Sequence, residues 1–125
     1  MITQNQTQIQ KGQIYFADMP DAYGSEQGGR RPVIIIQNNV GNKYSTTTLI
    51  APLTTSKTKH TLPTHVLIKA GSNGLKYDST VLLEQVRVVD KRRLRDYVTY
   101  IDEGKMNEIN SAISVSFGLG SSVSA

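Results

Sequence analysis

The sequence predicts a mainly β protein, a small barrel with one C-terminal α-helix. Three observations carry that reading. Short apolar segments of β character recur up to about residue 101, turn residues punctuate them, and the apolar period becomes helical only after Asp102. Strands this short and this frequent suit a small barrel better than a layered α/β fold. A chain of 125 residues is the size of one domain with one modest core.

Taken in order, Gln13 to Asp18 alternates, with Ile14, Phe16 and Asp18 on one face and Tyr15 and Ala17 on the other, the period of a strand. Arg31 to Gln37 is β-branched and continuously apolar at its centre, which marks a strand buried on both faces. Thr46–Leu53, His65–Lys69, Thr80–Glu84, Val86–Asp90 and Tyr97–Ile101 read as further strands. Gly41-Asn42, Gly71-Ser72-Asn73-Gly74 and the region of Pro63 supply the turns between them. Met106, Ile109, Ala112, Ile113 and Phe117 then fall on one helix face. Asp102 is placed to cap that helix, and Gly118 and Gly120 to end it. Residues 1–10 are expected to be a flexible N-terminal extension without an assigned role. Residues 11–119 form the domain, and 120–125 a flexible tail.

Composition removes several classes of function. The longest apolar run, Val33 to Ile36, is far short of the roughly 20 residues of a membrane span. The opening MITQNQTQIQ lacks the apolar core of a secretory signal, so the expected location is cytoplasmic. With no cysteine, disulfides, thiolate nucleophiles and cysteine-held metals are excluded. Any chemistry must use oxygen and nitrogen groups.

Charge is distributed unevenly. Between Gln27 and Tyr77 stand seven basic residues (Arg30, Arg31, Lys43, Lys57, Lys59, Lys69 and Lys76) and no acidic one. Such an electropositive block attracts polyanions, of which nucleic acid is the usual one, although a solvated basic surface would look the same in sequence.

The most informative stretch is Gly24-Ser25-Glu26-Gln27-Gly28-Gly29-Arg30-Arg31-Pro32-Val33. Its glycines let the backbone approach a ligand closely. Arg31 enters a buried strand ahead of a stiffening proline and can hold a phosphate in its planar fork, while Glu26 can orient that group or take protons. An ordinary turn uses the same residue types, and the residues alone leave both readings open.

This pattern resembles the signature of the MazF/PemK toxins, and more of the chain agrees. Lys11-Gly12-Gln13-Ile14-Tyr15-Phe16-Ala17-Asp18 is similar to the family's opening strand, and Gln37 to Ser45 to the loop after its second. Ala51-Pro52-Leu53-Thr54, Pro63-Thr64-His65-Val66 and Leu82-Leu83-Glu84-Gln85-Val86-Arg87 follow in the family's order, so the likeness covers roughly residues 11–119. It implies an SH3-like barrel with a C-terminal helix, assembled as a homodimer. The implied activity is cleavage of single-stranded RNA, usually messenger RNA, at a short sequence, without metal or other cofactor. The implied partner is an antitoxin of the MazE type whose acidic C-terminal segment lies across the RNA groove.

The family's essential arginine and threonine carry over to Arg31 and Thr54. Metal-free cleavage uses the adjacent 2′-OH as nucleophile and leaves a 2′,3′-cyclic phosphate and a 5′-OH. Arg31 suits charge stabilisation, because a guanidinium stays protonated; Thr54 can donate to a phosphate oxygen, and Glu26 is the candidate for proton handling. RNA contacts are expected from Ser25, Gln27 and Gly28 in the glycine-rich loop. Tyr23 and Tyr44 are expected to stack bases, with Lys43, Gln85 and Arg87 beside them. The tyrosines could instead cap the barrel, and Gln85 and Arg87 could serve the dimer contact.

Rival chemistries fit less well. His60 falls in a polar loop and His65 opens a strand, which argues against a two-histidine ribonuclease, and no pair of acids suggests a metal site. The run Lys91-Arg92-Arg93-x-Arg95 is bracketed by Asp90 and Asp96 and reads as a solvated turn or short helix. Pro20, Asp21, Asn39 and Thr46 depart from the usual family residues in loops, which bears on sequence preference more than on catalysis. Two other functions remain open on the same barrel: a protein-binding toxin of the gyrase-poisoning CcdB type, and a non-catalytic nucleic-acid module.

Overall fold

The computed structural model describes residues 9–20, 23, 24, 26, 28–55, 62–71 and 74–120. Among these, seven strands form one curled antiparallel sheet: β1 (Gln13–Met19), β2 (Gly29–Ile35), β3 (Thr47–Thr54), β4 (His65–Ile68), β5 (Ser79–Leu82), β6 (Arg87–Asp90) and β7 (Leu94–Tyr100). The spatial order is β4-β5-β3-β2-β1-β7, with β6 also on β3. β3 serves two neighbours on one edge because it divides its length. Thr47 to Ile50 pair with β6, and Leu53 and Thr54 pair with β5. That division turns the sheet at Pro52 and produces the small barrel the strand pattern predicts.

The continuous apolar run of β2 is buried on both faces, as expected. Ile34 and Ile36 join Ile14, Leu53, Val66, Val81 and Leu83 beneath the C-terminal helix, whereas Val33 and Ile35 join Tyr15, Ala17, Ile50, Val89 and Leu94 on the other side. Each such aliphatic side chain contributes about 1.5–3 kcal/mol on burial, so the two-sided strand is the main apolar anchor of the fold. Ile9 is also buried in the second cluster, two residues ahead of the expected boundary at residue 11. The rest of the expected extension, residues 1–8, and residues 121–125 of the expected tail lie outside the described residues.

Of the two α-helices among the described residues, α1 (Asn39–Tyr44) falls in the segment that the family resemblance gives as a loop. It has no apolar face to betray it. The Asn38 side chain caps it by accepting from the Gly41 N–H at 2.8 Å. Asn42, fully buried, donates to the Gln37 carbonyl at 2.9 Å and accepts from the Thr48 hydroxyl at 2.7 Å. Lys91 donates to the Asn42 carbonyl, which ties α1 to the turn that follows β6.

The second helix, α2 (Glu103–Phe117), follows the predicted limits. The Asp102 carboxylate accepts from the Lys105 N–H at 2.7 Å, and Gly118 ends the helix at φ +69°, a conformation that favours glycine. Ile109 and Ala112 enter the core with Met106 and Ile113 against them, but Phe117 is exposed, because the helix outlasts the sheet it covers.

Other departures have local causes. Glu84 lies in a turn of 3₁₀ helix, Leu83–Gln85, rather than in β5. β7 begins at Leu94 and not at Tyr97, because register shifts along β1 break the alternation that would have revealed it. The basic run forms a 3₁₀ turn, Lys91–Arg93, in which Arg92 is paired with Asp90 while Lys91 and Arg93 donate to the carbonyls of Asn42 and Asp18. Arg92 donates to both oxygens of Asp90 at 3.0 and 3.1 Å and, with its own backbone N–H, holds that carboxyl below its usual range. Among the described residues no helix is long and apolar enough to cross a membrane.

Candidate active site

The site is built where the β2–β3 ladder ends. The paired register runs from Ile35↔Ile50 to Val33↔Pro52, and Arg31 and Thr54 are the residues two positions beyond that last pair. Here a side chain takes over from the backbone. Arg31 Nη1 donates to the Leu53 carbonyl at 3.4 Å, and Nε donates to the Gly28 carbonyl at 3.0 Å. Two carbonyls from different parts of the chain therefore hold the guanidinium beside Thr54. Carbonyl oxygens orient the group without cancelling its charge, and among the described residues no carboxylate lies within ion-pair distance of Arg31.

The neighbouring arginine is used differently. Arg30 points to the opposite face, where its head lies 5.1 Å from the Phe16 ring centroid and donates to Asp96 at 3.2 Å. Asp18 completes that network by accepting from Arg95 at 2.6 Å. Alternation along β2 thus separates Arg30, which is ion-paired, from Arg31, which has no ion pair among the described residues, although the two are adjacent and alike in sequence.

Gly29 opens β2 at φ +75° opposite Met19, which fixes the end of the β1–β2 connection. Within that connection Glu26 closes a local turn: its N–H donates to the Tyr23 carbonyl at 3.0 Å and its carboxylate accepts from the Tyr23 N–H at 2.9 Å. Glu26 is bonded to Tyr23 and does not orient Arg31, contrary to the expectation from sequence. Nearness along the chain was the only ground for that pairing, and carbonyls fill the role instead. Tyr23 is 85% exposed in the same loop. Ser25 and Gln27 lie outside the described residues.

The remaining expected contacts are spread along the barrel. Tyr44 is 76% exposed with the Lys43 ammonium 5.3 Å from its ring centroid. These two precede the start of β3, and the seven residue steps from Thr47 to Thr54 span about 23 Å, so they do not meet Arg31 within one chain. Arg87 pairs with Ile50, about 13 Å along β3 from Thr54. Gln85 follows Glu84 in the 3₁₀ turn.

One cluster escaped the sequence. His65, whose side chain is only 8% exposed, places Nε2 3.0 Å from Glu84 Oε2, and the Thr64 hydroxyl donates to Glu84 Oε1 at 2.9 Å. The Leu62 N–H points at His65 Nδ1 at 3.3 Å, which assigns the ring proton to Nε2 and makes the neutral ring a donor to Glu84. Burial raises the Glu84 pKa, but its own backbone N–H, His65 and Thr64 outweigh that and leave it below the ordinary value of 4.5. Only the β4–β5 register, with His65 opposite Leu82, brings these residues together, and nothing local in the sequence announces it. His60 lies outside the described residues.

The fold is a curled β barrel with a C-terminal helix, and at the end of the β2–β3 ladder two carbonyls hold an arginine that has no ion pair among the described residues. Residues 10–117 match the family model of the PemK-like, MazF-like toxin of type II toxin–antitoxin systems, and the chain belongs to that family. Endoribonuclease MazF of Staphylococcus saprophyticus is 49% identical over 111 residues, 89% of this chain and 92% of that protein. Endoribonuclease EndoA of Bacillus subtilis is 45% identical over 111 residues, 89% and 96% of the two chains. A solved endoribonuclease in complex with its cognate antitoxin, from a mycobacterial species, superposes with a TM-score of 0.72 at 28% identity, covering 90% of this chain and 97% of that one.

Proposed function

We propose that this endoribonuclease cuts single-stranded RNA at a short recognition sequence by attack of the adjacent 2′-OH, without metal, leaving 2′,3′-cyclic phosphate and 5′-OH ends. The observation that carries the reading is the Arg31 guanidinium, held by Gly28 and Leu53 carbonyls beside Thr54 with no carboxylate at ion-pair distance among the described residues. A cation already oriented before substrate arrives stabilises the charge that builds on the phosphorane without reorganising at the moment of reaction. Thr54 supplies a hydroxyl to a phosphate oxygen. Glu26 can take the nucleophile's proton once it exchanges the Tyr23 N–H for the substrate. The names of the curated relatives favour this reading over a protein-binding toxin on the same barrel.

RNA then runs from the Tyr23 loop over the sheet, with Gly28 close to its backbone and Gln85 and Arg87 beside the path. Lys43 and Tyr44, about 20 Å from Thr54, hold nucleotides well away from the cut. We extend to this chain two further properties, a homodimeric assembly and a cytoplasmic site of action. By likeness to the mycobacterial complex, the partner that silences it is an antitoxin, whose acidic segment would compete with RNA for Arg31.

The test is to incubate the protein and Arg31→Ala with several long unstructured RNAs in EDTA and to map the fragment ends. Discrete cuts with 2′,3′-cyclic phosphate ends are expected, reduced about 10²- to 10³-fold or more in the variant. Cleavage that stops in EDTA and returns with Mg²⁺, or an Arg31→Ala protein within a few-fold of the original, overturns the reading.

A further inference from the structure

We infer that Thr80 is a specificity-determining residue, whose hydroxyl reads the base edge of a nucleotide adjacent to the scissile phosphate; the inference rests on the ribonuclease reading above. Register places it there. Thr54 lies directly opposite Thr80 on β5, and Thr80 directly opposite Leu67 on β4. Directly opposed residues of antiparallel strands project to the same face with Cβ atoms about 5 Å apart. The face bearing Thr54 therefore continues outward through a second hydroxyl to an apolar edge at Leu67, which is 46% exposed. Strand spacing puts Leu67 about 10 Å from Thr54, within the compass of one nucleotide held at that phosphate.

The Thr80 hydroxyl differs from those around it. Thr48 donates to Asn42, Thr64 to Glu84 and Ser79 to the Tyr77 carbonyl, so each serves the fold. Thr80 is half-buried, and among the described residues its side chain makes no hydrogen bond that would give it such a structural use. Strand pairing does not need the oxygen either, because valine has the same branched shape and at least the same β preference. A hydroxyl both donates and accepts, so it can pair with a base edge while Leu67 supports the flat face of the ring. On the opposite face of β5, Val81 is sealed in the core, so only this side of the strand is open to a ligand.

The experiment compares the full-length protein with Thr80→Val and Thr80→Ser on a pool of randomised single-stranded RNA, sequencing cut sites and measuring kcat/KM on matched and singly altered oligonucleotides. Thermal melts confirm that each variant is folded, and Thr80→Ala asks the same question should the valine protein not fold. The expected result is that Thr80→Val still cuts but loses roughly fivefold to tenfold of its preference at one position of the recognition sequence, the worth of one half-exposed neutral hydrogen bond. Thr80→Ser should keep that preference. Unchanged preference at every position in Thr80→Val overturns the inference, as does complete loss of cleavage by a folded Thr80→Val, which would move Thr80 into the chemistry. Failure of the unsubstituted protein to cut any RNA in the pool overturns the ribonuclease reading itself and this inference with it.

Discussion

Arg31 Nη1 donates to the carbonyl of Leu53, 22 residues further along the chain, at 3.4 Å, while its Nε reaches back to Gly28 at 3.0 Å. The planar fork makes both contacts at once, which a lysine ammonium on a flexible stem cannot reproduce in the same orientation. Arg31→Lys is therefore expected to keep the charge and lose the positioning, with kcat down about 10²-fold and little change in melting temperature. Single-turnover cleavage alongside a thermal melt decides it. A lysine variant with near-native kcat would show that charge alone suffices.

Glu84 makes part of the stability pH-dependent. Its folded pKa lies below the ordinary 4.5, so its contribution is fully present above that value and is lost as pH falls through the depressed folded pKa. Urea midpoints between about pH 3 and 6 should fall toward acid more steeply in the native protein than in Glu84→Gln, which removes the titrating group. Parallel curves would deny Glu84 that role.

Tyr15 acts at the other end of the scale. Burial, and after it the nearby Tyr97, raise its pKa above the ordinary 10.0. The folded state then holds the phenolic proton where the unfolded chain has lost it, and stability falls as pH rises past 10. Tyr15→Phe should flatten that alkaline loss, at the cost of the 3.0 Å hydrogen bond to Gln13. An unchanged alkaline limb in chemical denaturation would refute the assignment.

Asn42 holds α1 to the barrel from a fully buried position. Asn42→Ala leaves the Thr48 hydroxyl and the Gln37 carbonyl without their present partner in a dry site, at about 2–3 kcal/mol. For a domain of this size that is a fall of roughly 8–12 °C in melting temperature by calorimetry. A drop of under 2 °C would mean that water or a local shift replaces the amide.

By itself the sequence determined the parts of this protein that follow from periodicity and from local stereochemistry. The period-two segments, the doubly buried run at Val33 to Ile35 and the capped helix from Asp102 to Gly118 are local statements, written in neighbouring residues. The resemblance carried Arg31 and Thr54 as a pair for the same reason, since each stands in a short recognisable string. Tertiary structure alone decided what depends on strand register and on backbone atoms. It gave Arg31 the carbonyl clamp of Gly28 and Leu53, because a carbonyl carries no mark in the residue letters. It joined His65 to Glu84, 19 residues apart, through the turn of a hairpin, and directed the equally charged Arg30 to Asp96 instead of to the site. It also set α1 in a segment without an apolar face and placed Thr80 beside Thr54. Register is a long-range property, in which a shift of one residue reverses every side chain, so the chain must fold before those neighbours exist.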